Sequence, residues 1–167
     1  MARMIEAGDP IPSVPVKLVD ATGTYDTTSD AVLGQGRVVL FTVPGAFTPT
    51  CHTNHLPGFL ANVDKLEAAG VSRIVCAAVN DHHVVKAWGI ESNALGFIDF
   101  IADGNAVLAK ALGLDRDVSA SGLGTRFGRS AVIIRDGVVE AVFIEDKPGV
   151  NATGAAAILL ALAGAGV

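Results

Sequence analysis

Arg37-Val38-Val39-Leu40-Phe41-Thr42-Val43-Pro44-Gly45-Ala46-Phe47-Thr48-Pro49-Thr50-Cys51-His52 runs from an unbroken apolar, β-branched stretch into two prolines and a cysteine. Its first seven residues show no polar alternation, the pattern of a strand buried on both faces of a parallel sheet. Beyond Cys51, the residues Leu56, Phe59, Leu60, Val63 and Leu66 recur at three- and four-residue spacing. They mark one apolar face of a helix reaching Ala69, with Gly70 as its stop. Cys51 is thereby placed at a strand-loop-helix junction, where helix N–H groups can favour a thiolate. Pro57 interrupts the helical pattern; it lacks one hydrogen bond, crowds the carbonyl of Thr53 and predicts a kink there.

Outward from this stretch, residues 73–79 read as a second buried strand, and Asn80-Asp81 can cap a helix through Val84, Val85 and Trp88 that stops at or near Gly89. Residues 97–101 form a third strand, 105–112 a short helix closed by Gly113, and 131–135 with 138–144 a hairpin turned at Asp136-Gly137. Residues 1–36, rich in Pro, Gly, Asp and Thr with one alternating piece at 14–19, read as an irregular arm with a short hairpin packed on the main sheet. Asn151 or Thr153 caps a final Ala/Leu helix. The apolar tail 155–167 is too short to span a bilayer and reads as a core or interface helix. This order predicts an α/β sheet covered by helices on both faces, with an antiparallel edge.

The chain has 167 residues, room for one domain spanning 1–167. Half of it is hydrophobic and 17% is charged, which excludes disorder, and no apolar run has membrane-span length. A net charge of -5, with 12 Lys+Arg dispersed along the chain, argues against nucleic acid as a partner. The N-terminal residues lack a signal-peptide core, and the two cysteines are far apart with no Cys-x-x-Cys pair. Both point to a cytoplasmic enzyme.

A thiol of ordinary pKa, about 8.5, is only a few per cent ionised at pH 7, and lowering it to about 6 requires about 3.4 kcal/mol in favour of the anion. A helix dipole supplies up to about 2 kcal/mol, which leaves a gap for a nearby cation to fill. Arg126 and Arg129, flanking a Gly-rich loop just before residue 131, are the candidates. The hydroxyl of Thr48, three residues before Cys51, can accept from a substrate O–H and donate to a thiolate. Pro44 and Pro49 stiffen the loop and remove two N–H groups.

Other signals are weaker. His52-x-x-His55 and His82-His83 lack the carboxylates that would complete a metal site, so no metal is expected. The stretch 122–128 lacks GxGxxG spacing and reads as a flexible loop carrying Arg129. Trp88 reads as core or interface.

The segment Pro44-Gly45-Ala46-Phe47-Thr48-Pro49-Thr50-Cys51, followed by His55-Leu56-Pro57-Gly58-Phe59, resembles the active-site signature of the peroxiredoxins, in particular the type II or peroxiredoxin-5-like group. Val79-Asn80-Asp81, Ala87-Trp88-Gly89 and the Arg129 strand with its Asp136-Gly137 turn extend the resemblance over most of 37–145. It implies a thioredoxin-like three-layer sandwich with a mixed central sheet and an N-terminal extension. The implied activity is reduction of hydrogen peroxide and organic hydroperoxides, without a cofactor, in a homodimer. Cys51 would be the peroxidatic cysteine, Thr48 the hydroxyl that orients the peroxide, Pro44 the shield of the pocket and Arg129 the guanidinium beside the thiolate.

The chain departs from the pattern in three places. His52 stands where a serine is usual, Ser130 where an aromatic is expected, and residues 151–154 hold no resolving cysteine. Cys76 lies mid-strand and reads as a core residue, with a resolving or regulatory role as the alternative. The expectation is a 1-Cys cycle in which glutathione with glutaredoxin, or thioredoxin, reduces Cys51. A thiol-disulfide oxidoreductase is disfavoured by the missing Cys-x-x-Cys pair, and a redox sensor or holdase is the non-enzymatic alternative.

Overall fold

The structure is a computed structural model that describes residues 3–164 and, for Cys51, the backbone alone. In chain order it contains β1 (Pro15–Asp20), β2 (Gly23–Thr28), α1 (Ser29–Leu33), β3 (Arg37–Val43), α2 (Leu56–Ala61), α3 (Val63–Ala68), β4 (Arg73–Ala78) and α4 (His82–Glu91). There follow β5 (Asp99–Ala102), α5 (Val107–Leu112), β6 (Asp115–Asp117), β7 (Thr125–Phe127), β8 (Ser130–Arg135), β9 (Val138–Ile144) and α6 (Ala155–Gly164). Residues 165–167 of the apolar tail, and the first two residues, lie outside the described residues.

All residues of β3 are buried. The strand lies between parallel β4 and antiparallel β8 in a seven-stranded sheet of order β2-β1-β5-β4-β3-β8-β9. Its side chains alternate between two cores, as the strand period of two requires. Val39, Phe41 and Val43 pack with Leu56, Phe59, Trp88 and Ile158 of α2, α4 and α6. Val38 and Leu40 pack on the other face with Leu33, Leu108 and Leu112 of α1 and α5. Helices therefore cover both faces, as the element order predicts.

The expected arm is a hairpin, β1 and β2, but it joins the sheet rather than lying on it, because β1 pairs antiparallel with β5. At the other margin, β8 and β9 turn at Asp136 (φ 48) and Gly137 (φ 80), the left-handed pair a two-residue hairpin demands. The stretch expected as a flexible loop at 122–128 instead contributes β7, which pairs with β6 in a small ribbon. Strands of three residues are too short to leave a periodic signal.

Helix boundaries differ in two instructive ways. Asp81 caps α4 by accepting from the Val84 N–H at 3.0 Å, but Gly89 does not end that helix. A Cβ on Gly89 would stand 2.7 Å from Leu95 Cδ2 and 3.3 Å from Phe100 Cε1, so the glycine permits close packing on β5. The distortion expected at Pro57 takes the form of a widened turn just before it. Helical backbone runs through His55 (φ -64) into α2, so Pro57 withholds a donor from the π-helical turn Cys51–His55. A second break follows at Asn62 (φ -117), whose side-chain amide donates to the Gly58 carbonyl at 2.7 Å.

Candidate active site

β3, β4 and β5 run parallel, and the loop after β3 leaves the carboxyl edge of the sheet, where open α/β sheets place their ligand sites. Helical conformation resumes at residue 49, with Pro49 in the first position, which suits its missing N–H. Thr48 precedes it and accepts from the His52 N–H at 2.9 Å. Cys51 therefore lies in the first helical turn, among the backbone donors that have no intrahelical partner. From Cys51 to His55 the turn widens to π-helical geometry. Such bulges concentrate at functional sites.

Three tethers hold the loop. The Asn80 side-chain oxygen accepts from the Ala46 N–H at 2.9 Å, so Asn80 serves the loop while Asp81 caps α4. Arg126 donates from Nη1 to the Pro44 carbonyl at 3.2 Å and from Nε to the Leu123 carbonyl at 3.0 Å. Of the two candidate cations, Arg126 is thus occupied in buttressing the loop. Thr48 donates its hydroxyl proton to the Gly45 carbonyl at 2.7 Å. That corrects one expectation: in this arrangement the hydroxyl cannot also donate to a thiolate, and what remains is its capacity to accept.

Gly45 is where these tethers meet. A Cβ there would lie 2.7 Å from Arg126 Nη1 and 3.0 Å from Thr48 Cγ2. Gly45→Ala is expected to detach Arg126 from Pro44 and tilt Thr48, lowering peroxide kcat/KM by about ten-fold or more. Steady-state assays beside a thermal melt check this, the melt separating a loss of activity from a loss of fold.

Arg129, Pro44 and Thr50 line one cleft of about 300 Å³, together with Arg116, Glu145 and Lys147. The position of Arg129 is set by an imidazole. Its Nη1 donates to His55 Nδ1 at 2.8 Å, and His55 Nε2 stands 2.9 Å from the Thr153 carbonyl. A guanidinium can only donate, so Nδ1 is the acceptor and Nε2–H donates to Thr153. His55 is thus neutral. It is buried against Phe41 and Phe59, which stack on each other, at ring-centroid distances of 5.0 and 5.6 Å. This burial, reinforced by the Arg129 charge, pushes its pKa from 6.5 down to about 4, against the opposing pull of the Thr153 carbonyl and Glu145.

The circuit closes through Glu145. Its carboxylate accepts from the N–H groups of Asn151, Ala152 and Thr153 at 2.8 to 3.2 Å and from the Thr153 hydroxyl at 2.9 Å. Its own N–H donates to the Arg129 carbonyl at 3.1 Å. Burial works against the ionised Glu145, but these donors outweigh it and hold its carboxyl below the usual range. The residues expected to cap the last helix, Asn151 and Thr153, are spent on Glu145 instead.

The departures at 52 and 130 have local explanations. His52, which as a helix residue would face solvent, is half-buried and accepts at Nδ1 from the Trp88 indole N–H at 3.1 Å. Trp88, expected as core, is fully buried and carries this bond as well. Ser130 is buried and hydrogen-bonded to the Thr42 hydroxyl, which donates to the Gly128 carbonyl at 2.7 Å. A buried polar pair thus stands where an aromatic was expected after Arg129. Cys76 is buried in β4, beside Phe41 of β3 and Phe100 of β5. The rings of His82 and His83 on α4 meet in a tilted contact at a centroid distance of 4.1 Å.

The Redoxin family pattern matches residues 6–159. Peroxiredoxin-2E-2, chloroplastic, of Oryza sativa subsp. japonica is 43% identical over 164 residues, covering 95% of this chain and 72% of the relative. The chain belongs to the peroxiredoxins. Peroxiredoxin-2B of Arabidopsis thaliana is 38% identical over 159 residues, covering 95% and 98% of the two chains. Among solved structures, reduced Prx3 from Vibrio vulnificus in complex with hydrogen peroxide superposes with a TM-score of 0.87 at 41% identity, covering 95% of this chain and 99% of that one. Peroxiredoxin 5 from Alvinella pompejana gives 0.83 at 31% identity, covering 95% and 98%. The three-layer sandwich is thus the thioredoxin-like peroxiredoxin fold, and this peroxiredoxin is by class a thiol peroxidase.

Sequence reasoning missed His55, Glu145, Thr153 and Asn80 as parts of the site. For His55 a signal existed: it lies four residues after Cys51 on the same helix, next to the apolar positions Leu56 and Phe59. For Glu145 and Thr153 none did, because their partners are remote or lie in irregular backbone.

Proposed function

We propose that this peroxiredoxin reduces hydrogen peroxide and organic hydroperoxides through Cys51, in a 1-Cys cycle completed by an external thiol. The observation that carries the reading is the placement of Arg129: His55 holds it in a cleft shared with Pro44 and Thr50, next to Cys51 in the chain. The Cys51 thiolate attacks one peroxide oxygen, the O–O bond breaks, and the electron pair leaves on the other oxygen, which takes a proton and departs as water or alcohol. Cys51 is left as the sulfenic acid. Arg129 stabilises charge on the leaving oxygen. Thr48, its own proton given to Gly45, accepts a hydrogen bond from the peroxide O–H and so orients it. Pro44, with no N–H, keeps one wall of the cleft free of a competing donor.

The reductant is glutathione with glutaredoxin, or thioredoxin. One thiol condenses with the sulfenic acid, releasing water, and a second displaces Cys51 from the mixed disulfide. The burial of Cys76 at 1% exposure inside β4 supports a cycle that does not need it. Cys76→Ser is expected to keep turnover with glutathione and glutaredoxin near the parental rate, and loss of recycling would overturn the 1-Cys reading. We further propose cytoplasmic residence, a homodimer, and action of 1–167 as one domain.

Stopped-flow reaction of the reduced protein with hydrogen peroxide, followed by peptide mapping at Cys51, tests the central claim. A Cys51 rate no greater than that of an ordinary free thiol would sink it.

A further inference from the structure

The turn bearing Cys51 departs from regular α-helical hydrogen bonding. Residues Cys51–His55 are π-helical, a rare geometry confined to short bulges, and Pro57 brings no N–H to it. Side chains therefore have a large share in keeping it in place. Thr53 ties back only to the Pro49 carbonyl, inside the same segment. Two imidazoles tie the turn outward, His55 to Arg129 and Thr153, and His52 to Trp88. His52 is the residue next to Cys51, and its donor is anchored. Trp88 is fully buried and packs edge-on against Phe100 of β5 at a ring-centroid distance of 5.9 Å. If the turn moves, Trp88 cannot follow it, and the bond breaks.

Peroxide and reductant make different demands on this turn. Hydrogen peroxide, two oxygens long, enters the cleft between Pro44, Thr50 and Arg129 with the turn in place. A thiol brings a carbon skeleton, and its sulfur must reach bonding distance of the Cys51 sulfur. An S–S bond then forms, the S–O bond breaks, and the oxygen leaves as water with the proton of the thiol. That larger approach requires the turn to yield. We propose that His52, latched to Trp88, is a positioning residue that sets how readily the Cys51 turn opens to a thiol reductant. This rests on Cys51 being the reacting thiol.

The test compares the parent with His52→Ala, Trp88→Phe, their double variant and His52→Asn, whose amide oxygen stands where Nδ1 does. Each is oxidised with one equivalent of hydrogen peroxide and reduced with dithiothreitol, and the return of the Cys51 thiol is followed by alkylation and peptide mapping. His52→Ala and Trp88→Phe are each expected to speed that return by about five-fold, the factor a typical net hydrogen bond represents. The double variant should gain no more than either single one, since both remove the same bond. His52→Asn should return at the parental rate, and should restore the emission of the single tryptophan that His52→Ala shifts. The peroxide step should change less than the recycling step in every variant. Return rates within about two-fold of the parent in both single variants, or additive acceleration in the double one, would overturn the proposal. Failure of the parent to oxidise at Cys51 is visible before any thiol is added, and would overturn the peroxidatic assignment along with it.

Discussion

Arg129→Leu is expected to lower kcat/KM for hydrogen peroxide by about 10²–10³-fold, the range seen when one preorganised donor to a developing oxyanion is removed. The guanidinium has several N–H donors in a rigid plane. One of them is committed to His55 Nδ1 at 2.8 Å, which fixes the plane relative to the cleft. Leucine removes the charge and the donors together. Arg129→Lys separates the two contributions. A lysine keeps the charge but is a point donor on a flexible stem, unable to bond His55 and face the peroxide in the same fixed geometry. It should recover only about ten-fold of the loss. The backbone contact from the Glu145 N–H to the Arg129 carbonyl survives both substitutions, so the fold should persist. Stopped-flow rates on variants with a preserved thermal transition provide the check. Rates within a few-fold of the parent would remove Arg129 from the mechanism.

His55→Ala is expected to cost stability and activity together. It leaves the Thr153 carbonyl and one Arg129 donor without their partner and opens a space beside the stacked Phe41 and Phe59. An unsatisfied buried group costs about 1–3 kcal/mol, and the cavity adds to it, so a loss of about 3–4 kcal/mol is expected in denaturant titration. Without His55 the guanidinium loses one of the bonds that orient it, and peroxide kcat/KM should fall by about ten-fold or more.

The pH dependence gives the same residue a second signature. His55 titrates near 6.5 when unfolded and at about 4 in the fold, because burial and the Arg129 charge disfavour the imidazolium. Between those values the unfolded chain binds more protons than the native one, so stability falls as pH falls. The contribution is fully present above pH 6.5 and lost below about pH 4, a total of about 3 kcal/mol. Unfolding free energies across pH 4 to 7 should show this slope in the parent and lose it in His55→Gln. An unchanged slope in that variant would assign the acid sensitivity to other groups.

Some of this was legible in the chain and some was not, for identifiable reasons. The run from Arg37 to Val43 reads correctly as a doubly buried strand because hydrophobicity and β-branching are properties of the residues themselves. The Asp136-Gly137 turn and the Asp81 cap were equally readable, since both depend on residues adjacent in sequence. The missing N–H of Pro57 marks the distorted stretch, the widened turn Cys51–His55 just before it, whereas the break at Asn62 leaves no comparable local signal. Gly89 was misread as a stop because nothing nearby reveals Leu95 and Phe100 pressing on it. The 122–128 loop hid a strand whose partner, β6, is too short to register.

The candidate site divides along the same line. The chain by itself determined the reactive junction: a buried strand, a Pro-bracketed loop, and Cys51 in the first turn of a helix, all encoded within one continuous stretch. The tertiary structure shows where the two arginines lie, Arg126 on the Pro44 carbonyl and Arg129 in the cleft, which local sequence rules could not place. It alone turned His55 from half of an apparent histidine pair into the support of Arg129, and His52 into the partner of a buried indole. The physical reason is range. Strand, turn and cap preferences act between neighbours, whereas hydrogen bonds such as His55 to Arg129 join residues that only folding brings within 3 Å.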